Sequence, residues 1–170
     1  MATHRITKYN PANRNSLGHY LIDSEWTSIS DIGKPEYNLP TFEEYYLTEN
    51  SYCQAVKAIL DLNNVVELEV VSLEANLSKS EFTELEVKGY LKNMNISLDY
   101  INKTFKNGIK LNWSDIEVAI RLILREIIWC ELKSPIVSLN FGYDYYMYVD
   151  SKLLDTKTIE KISEMKMFID

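Results

Sequence analysis

Glycine is scarce in this chain, and each one stands alone. Gly18, Gly33, Gly89, Gly108 and Gly142 build neither a phosphate-cradling loop nor a dinucleotide fingerprint, since both need closely spaced glycines before a helix. No G-x-S-x-G element is present to hold a nucleophilic serine. Histidine is scarcer still. His4 and His19 both fall in the first nineteen residues, flanked by a strand start and a loop, and neither has a partner motif to serve. C-x-x-C, H-x-x-x-H and EF-hand spacings are all missing, so no metal and no cofactor is expected. The two cysteines, Cys53 and Cys130, sit among apolar residues. They read as free buried thiols of a reducing cytosol, with a disulfide between them the minor alternative. No apolar run approaches the roughly 18–20 residues of a membrane span, and the opening MATHRITKYN has no apolar core like that of a signal peptide. The expectation is a cytoplasmic chain with no membrane partner. Four prolines and no low-complexity linker suit one domain over residues 1–170.

Basic residues are missing from one long stretch. Between Asp23 and Glu74 there are eleven carboxylates against Lys34 and Lys57, giving −9 there while the whole chain carries −7. Such a surface repels phosphate backbones, so nucleic acid is not an expected partner. It attracts a basic protein surface and speeds its capture. The plainer reading is a well-solvated acidic face.

What is present is strong apolar patterning. Ser114 to Leu132 places Ile116, Ala119, Ile120, Ile123, Leu124, Ile127 and Cys130 on one helical face, with Val118, Leu122, Trp129 and Leu132 beside it. This predicts a central helix over about 114–132, capped by Ser114 with Glu117 and stopped by Pro135. Only Glu117, Arg121, Arg125 and Glu131 face water on that projection, while Glu126 intrudes between the apolar arcs. A second long helix, about 41–62, starts at a Thr41/Glu44 capping box and carries Glu49 inside its apolar face. Strands are expected at 5–9, 65–73, 136–149 (bent at Gly142) and 165–169, with a short helix from the Asp155 cap to Glu164. Residues 80–93 fit helix or strand, and 98–105 is weakly helical. From Tyr20 to Gly33 the path is irregular, with Trp26, Ile29 and Ile32 dipping into the core. The fold class that follows is α+β: one mixed or mainly antiparallel sheet on two long helices, with a short C-terminal helix.

Two features could carry chemistry or binding. Glu49 and Glu126, each inside an apolar helix face, could share a cleft as the acid pair of a small hydrolase. The alternative is that each is tied to an arginine or tyrosine, because an unpaired buried charge is costly. Phe141 to Tyr148, FGYDYYMY, holds four of the twelve tyrosines. In a continuous strand Tyr143 and Tyr145 face one way, and Asp144, Tyr146 and Tyr148 the other. An exposed set would make an adhesive phenol rim, or would pair with a second copy as a self-associating adaptor.

WTSISDIG (26–33) and FGYDYYMY (141–148), together with size and acidity, resemble the cytosolic immunity proteins of bacterial contact-dependent inhibition and other polymorphic toxin systems. The resemblance implies binding of one cognate toxin domain, commonly a basic nuclease, with no catalysis. That family is structurally diverse, so it transfers no binding residue by position. From charge and aromatic exposure the expected contacts are Asp23, Glu25, Asp31, Glu43 and Glu44, with Asp144, Tyr146 and Tyr148. Oligomeric state is not legible.

Overall fold

The computed structural model describes residues 1–22, 25–34 and 40–169. Among them seven strands form one antiparallel sheet in the order β3-β2-β4-β5-β6-β1-β7. The strands are β1 (Ala2–Thr7), β2 (Leu68–Glu74), β3 (Lys110–Leu111), β4 (Trp129–Lys133), β5 (Val137–Phe141), β6 (Met147–Ser151) and β7 (Phe168–Ile169). The helices are α1 (Phe42–Leu62), α2 (Lys79–Val87), α3 (Leu98–Thr104), α4 (Trp113–Leu124) and α5 (Thr156–Glu164). This is the expected α+β class.

Strand alternation sends Cys130, Leu132, Val137, Leu139, Phe141, Met147 and Val149 into the core, all at most 3% exposed. The opposite face carries Trp129, Glu131, Lys133, Ser138, Asn140, Tyr148 and Asp150, each exposed or half-buried. One covered and one wet face is the usual economy of an antiparallel sheet. α1 packs against both α4 and α5, and its Tyr45, Tyr52, Cys53, Val56 and Ile59 are fully buried. The irregular stretch behaves as its sequence suggests, burying Trp26 and Ile29 and half-burying Ile32. Trp26 stands edge-on to Tyr145 with ring centroids 5.1 Å apart.

Local chemistry sets most boundaries. Thr41 and Glu44 form the expected capping box on α1, and Asp155 caps α5. Ser78 and Glu81 cap α2, so the ambiguous 80–93 segment is helical as far as Val87 and turns over 88–93.

The central helix differs from its sequence reading. α4 begins one residue earlier, capped by Asn112 rather than Ser114, and ends at Leu124 rather than Leu132. The Glu126 amide donates to the Ile123 carbonyl and the Ile127 amide to the Leu122 carbonyl, both at 2.9 Å. This pair of bonds closes the helix around a left-handed residue, normally glycine. Here that residue is Glu126, at φ +60°. Beyond it, Trp129 to Lys133 runs extended, because W-C-E-L-K alternates at period two once its register with β2 and β5 is available. Arg121 and Arg125, expected to face water, are buried at 8% and 1% exposure. Cys53 and Cys130 are free, buried thiols.

Candidate functional site

Glu49 explains the buried arginines. Its carboxylate accepts two parallel bonds from Arg125 (Nε 2.7 Å, Nη2 2.8 Å), one from Arg121 (2.7 Å) and one from the Tyr45 hydroxyl (3.2 Å). Arg121 also donates to Glu117 and Asn50, and Arg125 to the carbonyls of Tyr90 and Lys92. The cluster joins α1, α4 and the turn after α2, and leaves no Glu49 oxygen open to a substrate. Glu126, by contrast, is exposed past the end of α4. The structure therefore does not bring Glu49 and Glu126 together as a cleft pair. Glu126 lines a broad surface groove and Glu49 does not.

That groove, about 840 Å³, lies where the C-terminal end of α4 meets the ends of β2, β4 and β5. Its position depends on the β5–β6 hairpin. The expected continuous strand is interrupted there by a tight turn over Tyr143–Tyr146, in which Asp144 (φ +58°) and Tyr145 (φ +63°) are both left-handed. The Tyr146 amide closes the turn on the Tyr143 carbonyl at 3.3 Å. Two-residue hairpin turns of this hand normally use Asn-Gly or Asp-Gly. Tyrosine holds the second position because its ring is bound elsewhere. Tyr145 is buried against Trp26 and Tyr45, and its hydroxyl donates to the Leu124 carbonyl at 3.0 Å. Its own carbonyl accepts the Tyr52 hydroxyl, whose oxygen accepts the Lys8 amide at 3.0 Å. Burial drives the Tyr145 phenol far above its ordinary titration range, so it stays a donor.

With Tyr145 anchored inward, Tyr143 at the tip is left 94% exposed. Trp129 and Tyr148, 36% and 38% exposed, share the outer sheet face across Gly142. The Trp129 indole is fixed by its Nε1 donating to the Phe141 carbonyl at 3.0 Å. Tyr148 lies over Gly142, where an added Cβ would come 3.1 Å from the ring edge. Glu74, the direct cross-strand partner of Trp129, joins Glu126 and Asp144 on the lining. None of these three carboxylates makes a side-chain hydrogen bond or ion pair among the described residues, and the lining contains no lysine, arginine or histidine. A smaller hollow of about 230 Å³, lined by Tyr9, Tyr20, Glu25 and Tyr146, shares Thr27 and Asp144 with the groove.

Of the contacts expected from sequence, Asp144 and Tyr148 reach this groove. Tyr146 lines the smaller hollow, where its hydroxyl accepts Arg14 at 2.8 Å. Glu25 pairs with Lys8 at 2.7 Å, Asp31 closes its own 3₁₀ turn and pairs with Lys34, Glu44 caps α1, and Glu43 pairs with Lys92 at 3.5 Å. Asp23 lies outside the described residues. The tyrosine-rich stretch sits inside the sheet, between β4 and β1, so it has no free edge to pair with a copy. Sequence reasoning missed Glu74, Trp129 and Tyr143 as groove residues. Among the described residues no His/Cys/Asp/Glu group could hold a metal ion, and no helix is long and apolar enough to cross a membrane.

No protein-family model, curated protein or solved structure matches this chain.

Proposed function

We propose that this chain is an immunity protein that neutralises a toxin domain by binding it, using the acidic, aromatic groove as its contact surface and performing no chemistry of its own. The observation that carries the reading is the pairing of three fixed or exposed aromatic rings with three uncompensated carboxylates on one concave surface. Aromatic anchors in a concave patch are the usual energetic centre of a protein interface. Carboxylates without internal partners steer a basic partner and set the rate of capture. The acidic run from Asp23 to Glu74 extends the same sign over a third of the sequence. A basic nuclease domain fits both terms.

The test is co-expression with the C-terminal domain encoded by the neighbouring upstream gene. A one-to-one complex that abolishes that domain's toxicity is expected. Charge reversal at Glu74, Glu126 and Asp144 together should weaken it roughly tenfold to a hundredfold, mainly in the association rate and less at high salt. A folded sample that forms no complex and gives no protection would end the immunity reading.

A further inference from the structure

The groove's shape and lining specify more than the sign of its partner. Its rings are Trp129, Tyr143 and Tyr148. Trp129 has spent its only donor on the Phe141 carbonyl, so its indole offers a π surface and no hydrogen bond to a ligand. The Tyr148 ring packs against Gly142, where a Cβ would come 3.1 Å from the ring edge. Beside these rings stand Glu74 and Glu126, acceptors with no internal donor among the described residues. A lysine ammonium is strongly hydrated and satisfied by a carboxylate in water. A guanidinium is planar and weakly hydrated, so it stacks on a ring while its edge N–H groups fork onto a carboxylate.

The fold already uses that arrangement internally. All four arginines lie over an aromatic ring, Arg5 and Arg14 over Tyr146, Arg121 over Tyr46 and Arg125 over Phe42, at 4.9–5.8 Å; Lys8, Lys57 and Lys92 do so as well, at 4.0–5.6 Å. Lys8 combines its rings with a single bond to Glu25, whereas Arg125 combines its ring with a two-bond fork on Glu49, and the arginine preference rests on that fork.

We infer that the groove is an arginine-anchor site. It takes the guanidinium of an arginine on a basic protein segment, stacked on Trp129 or Tyr148 with Glu126 or Glu74 as counter-ion, in preference to lysine. The inference deepens the proposed function and rests on its reading of the partner as a protein.

The experiment uses the whole protein and two blocked probe peptides, one with three arginines and one with three lysines in a glycine background. Binding is followed by the indole N–H resonance of Trp129, identified by its loss in Trp129→Leu, and by the intrinsic fluorescence. The triarginine peptide should shift that resonance and bind at least about threefold tighter than trilysine. Glu126→Gln and Trp129→Leu should each weaken triarginine binding about threefold to tenfold, while Glu164→Gln, an exposed acid on α5, should not. Both tested residues are exposed, and circular dichroism of each variant checks the fold directly. Equal affinity for the two peptides, or equal losses from Glu126→Gln and Glu164→Gln, would overturn the inference by reducing the groove to diffuse charge. A toxin complex untouched by Trp129→Leu and Glu126→Gln would overturn it while leaving the immunity reading intact. Arginine-selective binding without any toxin complex would do the reverse.

Discussion

Replacing Glu49 by glutamine removes one charge and almost no volume, so its effect isolates the buried cluster. The wild-type carboxylate accepts four hydrogen bonds, three of them from guanidinium groups, with its side chain fully buried. In Glu49→Gln one acceptor oxygen becomes an NH₂ facing donors. Arg121 keeps Glu117 and Asn50. Arg125 keeps only the carbonyls of Tyr90 and Lys92, and no other carboxylate among the described residues. Leaving a buried charge without its partner costs roughly 3–5 kcal/mol, against a total stability of about 5–15 kcal/mol. With a slope near ~2 kcal/mol/M, the urea midpoint should fall by about 2 M at unchanged slope. The melting temperature should fall by roughly 6–20 °C. Tryptophan fluorescence reads the first and calorimetry the second. The companion variant Glu49→Met/Arg125→Met removes both ends of the fork and should be more stable than Glu49→Met alone by at least about 1.5 kcal/mol. A loss below about 1 kcal/mol in Glu49→Gln, or strict additivity in the double variant, would refute the claim that this cluster locks α1 to α4.

Cys53 and Cys130 are fully buried, and burial pushes both thiols up to about 12, so Ellman's reagent at pH 8 should label neither until urea unfolds the chain. Burial pushes the Lys8 ammonium down to about 8 from its unfolded value of 10.5, so the unfolded chain binds more protons between those two values. Stability from this residue should therefore rise as pH climbs from about 8 to about 10.5, by at most about 1.4 kcal/mol per pH unit, and the slope should vanish in Lys8→Met. Glu126→Gly relieves a left-handed side chain at a helix end and should raise stability by about 0.5–1 kcal/mol in urea titration, while weakening any basic partner.

The parts of the fold that were legible in sequence are those whose signals are local. α1 and α5 start where their caps stand, because Thr41, Glu44 and Asp155 bond to amides within three residues. The end of α4 was not legible for two physical reasons. Its terminating residue is a glutamate rather than a glycine, so no breaker marks it. Ile127 to Cys130 is apolar at every position and fits periods of 3.6 and 2 equally well. Arg121 and Arg125 were misplaced because a helical projection sees only its own helix, and their partner Glu49 is on another. The oddity of Glu49 on an apolar face was the visible half of that pair. The hairpin turn was hidden in the same way as the helix end: Asp144-Tyr145 lacks the glycine that would announce it. Without the turn, Tyr143 and Tyr145 fall on one face; with it, one is the tip of the groove and the other its anchor.

Scarcity of glycine leaves several left-handed backbone positions to other residues. Among the described residues seven non-glycine residues have left-handed backbones, and three of them, Glu126, Asp144 and Tyr145, line the groove. Each such conformation costs roughly 1–2 kcal/mol for a side chain that glycine would avoid. The same two bonds that end α4 also end α2 at Gly89, α1 at Asn64 and α5 at Lys166, so a left-handed side chain is accepted at helix ends away from the groove as well. At the groove a glycine would give the same backbone without the Glu126 and Asp144 carboxylates or the Tyr145 anchor. At Asn64 and Lys166, which do not line the groove, the strain is a folding compromise at a helix end. At Glu126, Asp144 and Tyr145 the same strain also places two carboxylates and a ring anchor on the groove lining, so glycine at each position separates backbone shape from side-chain chemistry.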